Sequence, residues 1–220
     1  YLFYNWHSNV AFYLHTLLMK ILGISCFYHD SAAVIIENGQ ILYAGQEERY
    51  SRKKHDPSFP KLAMQSALCF TKIQPKDIDA VVFYEKPFLK FERILETHLA
   101  FAPKGFKTFL KSIPVWLKEK IFQKDIMRKE LQSIGFDFKA TKIFFSDHHL
   151  SHAASAYFAS PYKNKSLVLT LDGVGEWTTT AVYIGEGSSI KKINENYFPH
   201  SLGMFYSAFT YYCGFKVNSG

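Results

Sequence analysis

The chain has 220 residues, 48% of them hydrophobic and 17% aromatic, which excludes a disordered polypeptide and allows one large domain or two small ones. Three cysteines, Cys26, Cys69 and Cys213, lie far apart in apolar runs with no CxxC pair, which excludes a disulfide scaffold and points to reduced, packed thiols and a cytoplasmic location. The net charge of +7 and pI near 9.1 read as a solvated lysine-rich face, much of it between Lys86 and Lys142, with an anionic partner as the alternative.

Residues 1–18 (YLFYNWHSNVAFYLHTLL) are aromatic-rich without the turn chemistry of a domain, so Met19 is expected to be the true start and 1–18 an upstream extension or artefact. The apolar run 11–24 is interrupted by His15 and Lys20, has no basic n-region or cleavage site, and is too short for a comfortable bilayer span. No membrane partner is expected.

Runs 20–26, 32–37 and 41–47 predict three strands joined by tight turns, with Asn38-Gly39 closing the second hairpin. Leu62, Ser66, Cys69, Phe70 and Ile73 fall at helical spacing between Pro60 and Pro75. Residues 78–84 (IDAVVFY) read as a buried strand. Two amphipathic stripes follow, Phe91, Ile94, Leu95 and Leu99, then Phe106, Phe109, Leu110, Ile113 and Leu117, with Pro114 kinking the second. They predict a helical insertion over about 88–140 that covers one face of the core.

Residues 142–145 predict a further strand, leading into an alanine-rich helix over 147–158 capped by Ser146 or Asp147. Strands are expected over 166–172, 179–184 and 190–197, then a helix over 201–212, before the chain stops at Asn218-Ser219-Gly220 as a truncation. The order of strands and helix near Lys20 restarts near Ser166, implying two copies of one α/β unit, 19–165 and a truncated 166–220.

His148 and His152 stand four apart on the alanine-rich helix, so both imidazoles leave one face and can share a divalent metal. The same pair also fits a helix start decorated with polar residues, and His149 offers a competing i,i+3 pair with His152. Asp172, at the end of the strand LVLTL and before Gly173, is a strand-end carboxylate or an Asx-turn residue. Gly173 and Gly175 either let backbone N–H groups approach a phosphate or carbonyl or form a plain hairpin loop. His29, in a His-Asp-Ser turn, suits a general base or a capped turn. Arg49, Arg52, Lys53 and Lys54, in a loop after the third strand, suit phosphate or carbamoyl-oxygen binding, or a solvated surface.

Four stretches in order, 20–33 (KILGISCFYHDSAA), 46–55 (QEERYSRKKH), 147–158 (DHHLSHAASAYF) and 169–179 (LTLDGVGEWTT), resemble the N-terminal part of the O-carbamoyltransferases, the family of nodulation-factor and antibiotic carbamoyltransferases. The resemblance spans 19–220 and is least distinctive across 86–142.

The resemblance implies a duplicated actin-like ATPase (ribonuclease H-like) fold, followed by a C-terminal domain of the same chain. That domain would make carbamoyl adenylate from ATP and carbamoyl phosphate, and the actin-like part would transfer the carbamoyl group to a small-molecule or sugar hydroxyl. It also implies that His148, His152 and Asp172 bind an iron-type divalent metal, with a further aspartate beyond Gly220. His29 would stand beside the reacting carbamoyl group, Lys54 would be needed for transfer, and Asp30 and Lys53 would support them. The fragment alone is expected to be inactive. Threonylcarbamoyl transfer to tRNA is a related reading, but EERYSRKKH and DGVGEWTT favour the small-molecule branch, so nucleic acid is not the expected partner. A non-catalytic binding module is the reading from another class.

Overall fold

The computed structural model describes residues 19–107, 109–111, 123–139, 141–162 and 164–217. The expected extension 1–18, Ile113, Pro114 and Leu117 of the second stripe, and Asn218-Ser219-Gly220 lie outside them. Strands β1 (Lys20–Ser25), β2 (Ala32–Glu37) and β3 (Gln40–Gln46) form an antiparallel meander. Asn38 and Gly39 both have positive φ, as the tight β2–β3 turn requires. The chain then crosses to β4 (Ala80–Phe83), which pairs parallel to β1, and to β5 (Lys142–Phe145), which pairs parallel to β4. The resulting mixed sheet has the order β3-β2-β1-β4-β5.

Alternation along the strands puts Leu22, Ile24, Ala33, Ile35, Val81 and Phe83 into one core. Helices α1 (Glu48–Ser51) and α2 (Lys61–Thr71) follow β3. The helix over 61–71 is as expected, but its apolar stripe is not its buried face. Ala63, Met64 and Ala67 enter the core, while Leu62, Cys69 and Phe70 of the stripe are exposed, Ser66 is half-buried, and Ile73, just past the helix end, is in the core. Small side chains let the helix lie close to the sheet, and Phe70 instead packs on Tyr43. Cys213 is also exposed; Cys26 is the packed thiol of the expected three, and none of the three is in a disulfide.

Of the expected insertion, α3 (Pro87–Ala100) buries only Pro87 fully, whereas α4 (Gln123–Ser133) sends Met127 and Leu131 into the core. Helix α5 (His148–Ala159) then packs on a second, antiparallel sheet of β6 (Ser166–Leu171), β7 (Thr178–Glu186) and β8 (Ser189–Tyr197), order β6-β7-β8. Ala153 and Tyr157 of α5 meet Val168, Ala181 and Tyr183 there. Helix α6 (Leu202–Tyr212) follows, capped by the Ser201 hydroxyl, which accepts from the Met204 N–H. Among the described residues no helix is long and apolar enough to cross a membrane.

Glu47 holds the start of α2 from outside the helix. Its carboxylate is buried, and its two oxygens accept the N–H groups of Leu62 and Ala63 at 3.1 and 2.8 Å. Pro60, at the N-cap, supplies no such side chain. Glu47→Ala should therefore lower the unfolding free energy by about 1–3 kcal/mol, read as a fall in the urea midpoint, with Glu47→Gln losing less because one acceptor remains.

Candidate functional site

Because β1, β4 and β5 run parallel, all three release their chains at one edge of the sheet, where ligands bind in open α/β sheets. After β1 comes the turn carrying His29, after β4 come Tyr84 and Glu85, and after β5 come Asp147 and α5. The Ser146 N–H donates to the Phe83 carbonyl at 2.8 Å, and the Ser151 hydroxyl to the Tyr84 carbonyl at 2.8 Å. Asp147, one of the two expected caps, is the N-cap of α5: its carboxylate accepts the Leu150 N–H at 3.2 Å.

The contact of α5 with β6 carries Asp172, just past the end of β6, to the same place. His148 Nε2 lies 3.0 Å from Asp172 Oδ2 and 3.1 Å from His152 Nε2. One ligand atom from each of the three residues falls within 4.8 Å of the others. Atoms bound about 2.0–2.1 Å from one ion stand about 2.9 Å apart at right angles and about 3.3 Å apart at tetrahedral angles, so this nitrogen and oxygen set fits a first-row divalent metal. Burial disfavours the charged His148 ring, but the Asp172 and Glu85 carboxylates outweigh it and raise its pKa to about 9. The His148 ring in turn holds the Asp172 carboxyl down at about 2. Burial and the neighbouring His148 push His152 down.

His149 does not compete for this role. It is fully buried, with Nδ1 2.7 Å from the Thr170 hydroxyl and Nε2 2.8 Å from the Thr178 carbonyl, and burial pushes its pKa down. It ties α5 to β6 and to the start of β7. Gly175 is the glycine this packing needs, since a Cβ there would sit 3.1 Å from both the His148 and His149 rings. Gly173 has open space instead, and its N–H donates to Asp172 Oδ1 at 2.6 Å.

His29 is exposed, and its Nδ1 is 2.7 Å from Asp30 Oδ2; Asp30 Oδ1 is 2.9 Å from His55 Nδ1. These two histidines lower the Asp30 pKa. The segment carrying Lys53 and Lys54 thus lies beside the His29 turn, joined also by Phe27 N–H to Pro57 and Ser31 N–H to Asp56 carbonyl bonds of 2.8 and 3.0 Å. Arg49 is not in a loop as expected: it lies in α1, and Arg52 is its left-handed C-cap. The sequence EERYS takes a helical turn because the Tyr50 and Ser51 N–H groups both reach the Glu47 carbonyl. Arg49, Arg52, Lys53 and Lys54 are all exposed.

The two histidine groups are linked through residues that sequence reasoning passed over. Lys90 Nζ lies 3.1 Å from Glu85 Oε2 and 5.1 Å from the centre of the Tyr28 ring, which packs on His29. Glu85 faces His148. Arg93 Nη1 donates to the Gly175 carbonyl at 2.6 Å, and Glu176 Oε1 accepts the Lys86 N–H at 2.5 Å. Burial raises the Glu176 carboxyl to about 7. Glu85 carried the same signal as Asp172, a carboxylate directly after a buried strand.

Residues 20–220 match the family described as Carbamoyltransferase N-terminus. The chain belongs to this family. Relatives of this carbamoyltransferase N-terminal region include an uncharacterized protein of Synechocystis sp., 51% identical over 92% of the chain and 33% of the relative. Nodulation protein NolNO of Sinorhizobium fredii is 31% identical over 87% of the chain and 26% of its own length. An uncharacterized protein of Methanocaldococcus jannaschii is 26% identical over 92% and 41%. The chain thus spans between a quarter and under half of the length of these relatives.

Two outcomes follow from the geometry. His149→Leu should cost about 1–3 kcal/mol of unfolding free energy in a denaturant titration, because it removes two buried hydrogen bonds while leaving His148, His152 and Asp172 unaltered. Asp56, held at about 2 by the Ser51 and Ser58 side chains, stabilises the fold above the ordinary carboxylate pKa, and this contribution is lost as pH falls through about 2. Between pH 4 and 2, Asp56→Asn should therefore show a shallower loss of stability than the parent protein.

Proposed function

We propose that the chain is the transfer part of an O-carbamoyltransferase, which passes a carbamoyl group from carbamoyl adenylate, made from ATP and carbamoyl phosphate, to a hydroxyl of a small molecule or sugar. The observation that carries this reading is the convergence of His148, His152 and Asp172, from two different elements, on a set of atoms suited to one metal ion. Family membership over 20–220 supports carbamoyl transfer as the general reaction. The strand order β3-β2-β1-β4-β5, followed by a second antiparallel triplet after Lys165, supports a duplicated actin-like fold with units 19–165 and 166 onward. A cytoplasmic site of action, with cysteines outside any disulfide, is part of the same proposal.

When bound, an iron-type divalent ion supplies Lewis acidity at the carbamoyl carbonyl oxygen. The chain's own residues do the rest. With Nδ1 engaged by Asp30, His29 offers Nε2 to accept the proton of the acceptor hydroxyl as its oxygen bonds to the carbamoyl carbon. The bond from that carbon to the adenylate phosphate oxygen breaks, and the leaving group departs as AMP. Lys54, with Arg49, Arg52 and Lys53 near it in the chain, balances the negative charge on the tetrahedral centre and the departing phosphate. Gly173, where a Cβ would meet open space, leaves room for a substrate phosphate or carbonyl beside Asp172, and Gly175 lets the same turn close on the His148 and His149 rings.

The test uses the full-length protein with labelled carbamoyl phosphate, ATP, ferrous ion and a panel of sugar and small-molecule alcohols. The parent protein should bind about one ion per chain and label an alcohol in an ATP-dependent reaction. His148→Ala/His152→Ala should lose both metal and label. His29→Ala should keep the metal while transfer falls by about 10²-fold or more. A parent protein that binds no metal and consumes no carbamoyl phosphate would overturn the reading.

A further inference from the structure

Glu85 has no solvent-exposed surface, yet it carries a carboxylate. A buried carboxylate is costly unless it is paired and hydrogen-bonded, and Lys90 Nζ at 3.1 Å supplies the pairing. The other neighbour is His148, whose buried Nδ1 lies 3.4 Å from Glu85 Oε2, a long and poorly aligned contact, and makes no hydrogen bond of good geometry. On the far side of the same ring, Nε2 faces Asp172 and His152.

An imidazole has one nitrogen for each side, and the proton on one decides what the other can do. A ring that donates Nδ1–H to Glu85 presents the Nε2 lone pair to a cation. A ring with the proton on Nε2 has no lone pair on that nitrogen for the cation. Metal-bound histidines generally donate their second N–H to a carboxylate or carbonyl, which fixes both tautomer and ring orientation. The remaining gap of a few tenths of an ångström is a distance that ligand binding commonly closes.

We infer that Glu85 is a positioning residue for the metal centre: it takes the Nδ1–H of His148, so that Nε2 is held toward His152 and Asp172 as a metal ligand. This rests on the metal reading of those three residues. Lys90, from α3, balances the Glu85 charge at Oε2, the same oxygen that faces His148 on α5, and a carboxylate oxygen has lone pairs for both donors. Tyr84 packs its ring 5.6 Å from that of His148 and limits how far the imidazole can turn.

The experiment measures zinc affinity of the full-length protein by competition with a chromophoric chelator, together with ¹⁵N NMR of labelled histidine in the zinc-loaded state. In the parent protein His148 should show zinc on Nε2 and a proton on Nδ1. Glu85→Gln, close to isosteric, should weaken zinc binding by about 10- to 100-fold and shift the Nδ1 resonance toward that of a weaker hydrogen bond. Unchanged affinity and an unchanged Nδ1 resonance in Glu85→Gln would overturn the role of Glu85 while leaving the metal site standing. Absence of zinc binding by the parent protein would overturn both. If Glu85→Gln fails to fold, the parent spectrum still decides: zinc on Nδ1, or no proton there, is incompatible with the inference.

Discussion

The parallel pairing of β1 with β4 and of β4 with β5 sets where everything else can be. Three chains leave the sheet at one edge, each carrying polar residues that a strand interior would not tolerate: His29 and Asp30, Glu85, and His148. Parallel strands need long crossovers, and here α2, α3 and α4 lie in them. The second sheet adds Asp172 to this edge because α5 is shared, continuing from β5 and lying against β6 and β7.

Helix α5 therefore has two faces with different duties. His149, Ala153 and Tyr157 recur every four residues and are buried against the second sheet. Tyr157 lies so close to β7 that a Cβ at Gly185 would meet its ring at 2.6 Å. This packing fixes the rotation of the helix about its axis, and that rotation turns His148 and His152 together toward Asp172. A small error in rotation would separate side chains that now stand 3.0–3.1 Å apart.

Asp172 is held with similar strictness. The Ser201 hydroxyl reaches the carbonyls of Asp172 and Gly173, and Gly203 lies so near that a Cβ would meet the Asp172 carbonyl oxygen at 2.5 Å. Charge completes the arrangement: Asp172 and Glu85 sit on opposite sides of the His148 ring, and Lys90 balances Glu85. A cluster of buried ionisable groups persists only when its charges oppose one another in this way.

Local signals in the chain were enough for much of this. Alternating strands, the Asn38-Gly39 turn, the i,i+4 histidines and the strand-end aspartate depend on spacing of a few residues, and spacing is what a sequence records. The four motifs in order were enough for the family. Which face of α2 is buried, which of His148, His149 and His152 face Asp172 and which binds threonine, and that Glu85 is buried beside His148 were decided only by tertiary structure. Those outcomes depend on residues 21 to 90 positions apart in the chain, such as His149 with Thr170 or Lys86 with Glu176, and on the distances at which folding leaves them.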